Sequence, residues 1–143
     1  IYHKRITAGN LKNNSIGALQ LWGRALARLL YNQKYDLVST VVTLQDLEEC
    51  GVDQEAATGI SNYLNSLGEG KIALVLTEQP DGQIKGSFRT TSDIAVAALA
   101  KKFGGGGHSK AAGFTMRGKL VKTKNGWTVQ PAYPPQLADH LLH

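Results

Sequence analysis

Four consecutive glycines, Gly104, Gly105, Gly106 and Gly107, followed at once by His108, Ser109, Lys110, Ala111, Ala112 and Gly113, constrain this 143-residue chain more than any other stretch. Glycine has no side chain to pack and loses the most backbone entropy on folding. A run of four is therefore best used where the backbone takes positive φ or approaches another group closely. A flexible linker is the competing use. Linkers sit among Ser, Pro and polar residues, whereas this run follows an Ala-rich amphipathic stretch ending in Phe103 and leads straight into Ala111-Ala112-Gly113-Phe114. Such flanks define an ordered loop.

A glycine loop with free backbone N–H groups cradles anions, and a helix starting just after it would add its positive dipole end. Ala111 and Ala112 are the expected start of such a short turn or helix. Lys110 adds a cation, and His108 adds a donor for a phosphate or sugar oxygen. The position of His108 directly after the glycines favours ligand contact, because functional groups collect on loops held by a rigid scaffold. The spacing matches neither a P-loop nor the G-x-G-x-x-G of a dinucleotide fold. The residues alone lead to phosphate binding and no further.

With 42% hydrophobic and 19% charged residues, the chain reads as one globular domain with its own core. No apolar run approaches the roughly 20 residues of a membrane span, and a cytoplasmic setting without membrane contact is the expectation. Cys50 is the sole cysteine, so no internal disulfide forms. The net charge of +5 hides a division along the chain. Residues 1–34 carry six Lys/Arg and no acid, 35–100 three against ten, and 101–143 seven against one. The glycine loop thus lies in a positive segment, which draws in polyanions and makes their binding salt-dependent.

Helical and strand periods alternate, which predicts an α/β fold: a mixed sheet of about five strands with flanking helices. Residues 1–14 read as a linker or arm. Over 15–34, Leu19, Trp22, Leu26, Leu29 and Leu30 recur at helical spacing behind a Ser15 cap, as an inter-domain helix would. Tyr35 to Thr43 reads as a strand, with Thr43 capping Leu44 to Cys50 and Gly51 closing it. Asp53 to Leu67 reads as a helix stopped by Gly68. The acids Asp46, Glu48, Glu49, Asp53 and Glu55 fall where they meet helix dipoles rather than as metal ligands. Ile72 to Thr77 is a central strand, and a turn at Gln79-Pro80-Asp81-Gly82 returns it as Gln83 to Thr90. Period two puts Ile84, Gly86 and Phe88 on one face and Lys85, Ser87 and Arg89 on the other. Asp93 is expected to cap a helix from Ile94 to Phe103. A strand from Phe114 to Arg117 and a basic hairpin turning at Asn125-Gly126 end the domain at residue 130, before a Pro-containing tail over 131–143.

The string from Phe103 to Phe114, Phe-Gly-Gly-Gly-Gly-His-x-x-Ala-Ala-Gly-Phe, resembles the signature of the DHH-associated domain, the C-terminal substrate-binding module of DHH-family phosphoesterases. Ser87-Phe88-Arg89 matches the Ser-x-Arg element that completes the pocket in that family. The resemblance spans roughly Leu19 to Phe114 and is closest to the nano-RNase and cyclic-dinucleotide phosphodiesterase branch, with RecJ-type exonucleases as a variant. It implies a domain over 35–130 whose substrate-binding residues are Ser87, Arg89, Gly104, Gly105, Gly106, Gly107, His108 and Lys110. They would hold the terminal phosphate or nucleotide of a short single-stranded oligonucleotide, or a cyclic dinucleotide.

In that family hydrolysis depends on Mn or Mg ions held by Asp and His in a separate upstream DHH domain. This chain has no Asp-His-His and no Asp-x-Asp, and its four histidines lie at 3, 108, 140 and 143. No catalytic and no metal-binding residue is assigned here. The expectation is the back half of a longer phosphoesterase, inactive alone, with its DHH domain as partner and homodimerisation left open. A stand-alone nucleic-acid or nucleotide binding module, of the kind attached to alanyl-tRNA synthetases, is the alternative.

Overall fold

A computed structural model describes residues 15–67 and 70–131. The arm at 1–14, the Gly68 helix stop and the tail from 132 onward lie outside the described residues. Four helices, α1 (Ile16–Ala27), α2 (Leu44–Cys50), α3 (Glu55–Leu67) and α4 (Val96–Lys101), alternate with seven strands. The strands are β1 (Leu30–Asn32), β2 (Leu37–Val42), β3 (Ile72–Glu78), β4 (Gln83–Thr90), β5 (Gly106–Gly107), β6 (Ala111–Thr123) and β7 (Gly126–Pro131). The sheet runs β1-β2-β3-β4-β6-β5 and is mixed: β2 and β3 are parallel and the other pairs antiparallel. The α/β mixed sheet matches expectation. The extra strands are β1 and β5, of three and two residues, too short to show a period. The 13-residue β6 is shared, its first half lying between β4 and β5 and its second half pairing with β7 in the basic hairpin.

The helix expected over 15–34 ends at Ala27. Ser15 caps it as expected, its Oγ accepting from the Ala18 N–H at 3.0 Å. The buried stripe is Ala18, Leu21 and Ala25, while Leu19 stays 65% exposed. Small alanines let α1 approach the sheet closely enough for the Thr40 hydroxyl to donate to the Ala25 carbonyl, and the larger Trp22, Leu26 and Leu29 pack around the rim. Chain leaving the helix then adds the edge strand β1 beside β2.

Apolar clusters lie on both faces of the sheet. One face of β2 and β3, including Val42, Ala73 and Val75, is covered by Leu21 and Ala25 of α1 and Ile60 and Leu64 of α3. On the other face, Val96 and Ala100 of α4 pack against Phe88, Ala112 and Phe114 of β4 and β6. Covering is therefore diagonal. The face of β4, β6 and β5 that carries Lys85, Ser87 and Arg89 has no helix over it, only α3 along one side.

A polar network ties the helical layer to the hairpin. Thr43 and Asp46 form a reciprocal capping box at the start of α2. The buried Asp46 carboxylate also accepts two hydrogen bonds from the Arg28 guanidinium, at 2.5 and 2.9 Å, and one from Arg24 at 3.2 Å. Arg28 in turn stacks on the Trp127 ring of β7, 4.8 Å from its centroid. Glu78 accepts from the Leu44 N–H with one oxygen and from the Leu120 N–H with the other. Burial by itself would raise the Asp46 carboxyl, but hydrogen bonds from Arg28 and Thr43 outweigh it and hold the group well below the usual carboxylate range.

A carboxylate depressed in the folded state contributes stability above its unfolded value, about 3.9, and loses that contribution as pH falls toward the folded value. Asp46→Asn should therefore lower the unfolding free energy at pH 7 by about 2 kcal/mol or more, since it leaves Arg28 half-buried without its partner. Denaturant titrations from pH 7 to pH 2 check this. The variant's deficit should shrink below about pH 4.

Candidate ligand-binding site

The glycine run does three different jobs. Gly104 takes φ 84° and closes α4: its N–H donates to the Lys101 carbonyl, and the Gly105 N–H donates to the Ala100 carbonyl at 2.9 Å. This is the Schellman pattern, which needs the left-handed residue that glycine supplies. Gly105 passes so close to β6 that a Cβ on it would stand 2.0 Å from the Gly113 carbonyl oxygen. Gly107, at φ 144°, would likewise run into the Ala112 backbone. Gly106 is unlike these, because a Cβ there meets nothing within 4 Å. Its missing side chain is needed by neither fold nor packing, and the space beside its half-buried backbone is open.

Strand pairing lines up the rest of the site. Ser87 of β4 is paired with Gly113 of β6, which is paired with Gly106 of β5, so three neighbouring strands present a hydroxyl and two bare backbones in a row. Arg89 pairs with Ala111, and both lie on the same open face. The result is a shallow depression of about 250 Å³ lined by Lys85, Ser87, Arg89, Gly106, Gly107 and Ala111–Gly113. Its floor is low because the opposite face is filled instead: the Phe114 ring lies against Gly86, and Phe103 stacks on Phe114 with centroids 4.6 Å apart. The wall is α3, whose Asn62 accepts from Arg89 Nε at 3.3 Å. One Arg89 nitrogen also donates to its neighbour's carbonyl, that of Phe88. Among the described residues neither Arg89 nor Lys85 has a carboxylate partner. Both keep their charge available for an anion.

Of the residues singled out from the sequence, Ser87, Arg89, Gly106 and Gly107 thus line one depression, while Gly104, Gly105, His108 and Lys110 do not. His108 is exposed at the start of a tight hairpin turn, where its N–H donates to the Ala111 carbonyl at 2.8 Å. Lys110 donates from Nζ to the Ser92 carbonyl. Among the described residues no helix starts just after the glycines, so the expected dipole end from that side is missing. Ala111 and Ala112 begin β6, because they pair with Arg89 and Phe88 and continue an alternation that buries Ala112 and Phe114. Asp93 is not a cap either: α4 begins at Val96, whose N–H is taken by the Ser109 carbonyl of the hairpin turn. Ser92, bonded to Thr90 and to the Ile94 N–H, holds residues 92–94 in a turn and delays the helix. Asn62, Ala111 and Gly113 were not legible as site residues. Period two on β4 was the only signal for Lys85, and nothing local marks Asn62, 27 positions from Arg89.

Among the described residues, no three His, Cys, Asp or Glu side chains come together to hold a metal ion, and no helix is long and apolar enough to cross a membrane.

The mixed α/β sheet thus carries, on its bare face, a glycine hairpin beside a Ser-x-Arg strand. The chain belongs to the DHHA1 domain family, whose model matches residues 35–125. It is 27% identical over 97 residues to the bifunctional oligoribonuclease and PAP phosphatase NrnA of Thermus thermophilus, a match covering 66% of this chain and 29% of that protein. An exopolyphosphatase-related protein from Bacteroides fragilis shares the fold, with a TM-score of 0.65 at 24% identity over 79% of this chain and 32% of that one. A pGpG-specific phosphodiesterase, PggH, from Vibrio cholerae aligns at a TM-score of 0.46 and 16% identity over 70% of this chain and 33% of its own. The chain thus spans about a third or less of the length of these proteins.

The glycines separate by experiment. Gly105→Ala should lower the melting temperature by several degrees, since backbone of β6 must shift to admit the methyl group. Gly106→Ala should melt within a degree or two of wild type. Thermal unfolding followed by circular dichroism decides between them.

Proposed function

We propose that this chain is the substrate-binding domain of a DHH-family phosphodiesterase. It holds the terminal phosphate or nucleotide of a short single-stranded oligonucleotide, or a cyclic dinucleotide, for hydrolysis by an upstream DHH domain. The observation that carries this reading is the open backbone of Gly106 in register with Ser87 and beside Arg89. A floor without side chains admits a phosphate to hydrogen-bonding distance of the backbone. Arg89 and Lys85 supply charge-assisted hydrogen bonds, and the Ser87 hydroxyl both donates and accepts. His108, one residue beyond Gly107 in the chain and exposed, reaches a phosphate or sugar oxygen of the same ligand. Lys110 adds to the positive field that draws it in.

The named activity of the Thermus thermophilus relative, oligoribonuclease and PAP phosphatase, supports an oligonucleotide or nucleotide ligand. The fact that the matched segment makes up only 29% and 32% of two of these relatives supports a second domain that does the cleaving. In this reading the upstream domain would hold the Mn or Mg ions, and those would supply the activation of water. The described residues of this chain offer those ions no ligand set, and their part in the reaction is to grip the substrate end and orient it.

An NMR titration of the purified chain with a 5′-phosphorylated RNA dinucleotide at low salt tests the reading. Resonances of Gly106, Gly107 and Arg89 should shift, and no hydrolysis should follow on adding Mn²⁺. Arg89→Ala should weaken binding about tenfold, as expected for losing hydrogen bonds to a charged group, and His108→Ala by less. Gly106→Val should abolish binding with the fold retained. Unmoved resonances at these residues would refute the assignment, and cleavage by this chain alone would refute the division of labour.

A further inference from the structure

We propose that a cavity adjoining the glycine-floored depression is a second subsite, which seats the nucleobase of the neighbouring nucleotide. The inference rests on the reading of the depression as an oligonucleotide site. The cavity, of about 200 Å³, lies between the first half of α3 and strands β3 and β4, and its lining includes Gln54, Thr58, Ser61, Thr77 and Gln79. Lys85 and Ser87 line both hollows. A ligand held at Arg89 and Gly106 therefore enters the cavity by extending along β4 past these two residues.

The chemistry of the cavity fits a neutral, hydrogen-bonding group rather than a second phosphate. Ser61 and Thr77 are only 2% and 7% exposed, yet among the described residues neither hydroxyl has a hydrogen-bond partner. No fully enclosed side-chain polar atom is left unsatisfied, so these oxygens are reached from the cavity and not sealed among packed atoms. Buried hydroxyls without partners are costly unless something meets them, whether water or a ligand.

An anion would find little there. The N–H groups that open α3 are already engaged: that of Glu55 by Asp53 Oδ1 at 3.0 Å, that of Ala56 by the Asp53 carbonyl and that of Ala57 by the Gln54 carbonyl. The carboxylates of Asp53 and Glu55 also line the cavity, against the single cation Lys85. Two acidic residues in the lining repel a further phosphate. A nucleobase carries no charge and presents donors and acceptors along its edge. Hydroxyl and carboxamide groups can meet either kind, so the subsite accepts different bases.

Calorimetric titration of the full chain at low salt with a 5′-phosphorylated mononucleotide, the matching dinucleotide, and the two dinucleotides made abasic at one or the other residue tests the proposal. The intact dinucleotide should bind at least tenfold tighter than the mononucleotide, and removing one of the two bases should erase that gain. Thr77→Val, which keeps the side-chain shape, and Ser61→Ala should each weaken dinucleotide binding three- to tenfold while leaving mononucleotide affinity and melting temperature unchanged. If the mononucleotide binds in an Arg89-dependent way but the dinucleotide gains nothing, or the gain survives removal of either base, the second subsite is refuted and the first stands. Dinucleotide affinity insensitive to both variants refutes it equally. Failure of every probe to bind overturns the depression and the subsite together.

Discussion

The close approach of the Gly105 backbone to β6 is the contact on which the arrangement of the site depends. With no side chain at 105, the chain leaving α4 lies against Gly113 and Phe114 and becomes the outermost strand of the sheet. That placement puts Gly106 level with Ser87 across the intervening Gly113. It also sets the turn at residues 108–111 against the start of α4, where the Ser109 carbonyl takes the Val96 N–H. Helix and hairpin hold each other. The loop is ordered because its backbone groups are spent on neighbours on both sides, which is what distinguishes it physically from a linker of similar composition.

Uneven covering of the sheet does the rest. A mixed sheet must bury apolar residues on both faces, and here the helices on the two faces lie over different strands. Alpha helices α1 and α3 lie on β2 and β3, while α4 lies behind β4 and β6. The front of β4 and β6 is consequently bare, and it can be bare because the residues there are Gly113, Ala111, Ser87 and two cations rather than large apolar groups. Asn62 on the flank of α3 steadies Arg89 without neutralising it. On the far side, the Arg28–Asp46 pair and Glu78 fix α1, α2 and the β6–β7 hairpin to one another. The scaffold is thereby held while the open face keeps its charge.

Local signals survived the comparison with the fold wherever one stretch of chain settles its own structure. The Ser15 and Thr43 caps, the Gly51 stop, the central strand β3, the period-two faces of β4 and the Asn125-Gly126 hairpin all depend on residues within a few positions of each other. Errors fell where a distant partner decides. Leu19 lies on the predicted apolar stripe of α1 and yet faces solvent, since the helix turns the face of Ala18, Leu21 and Ala25 to the core. Asp93 has the composition of a cap, but the Ser109 carbonyl from the hairpin takes that role first.

What the sequence determined by itself was the chemistry: four glycines that exclude side chains, a Ser-x-Arg strand face, and a positive segment around them, enough to name the family and the kind of ligand expected. Only the tertiary structure decided which of those residues meet. Register across β4, β6 and β5 gathers Ser87, Arg89 and Gly106 and leaves His108 and Lys110 on the hairpin beyond. Pairing of β4 with β6, more than 20 residues apart, is set by burying Phe88, Ala112 and Phe114 together under α4, which no local pattern encodes.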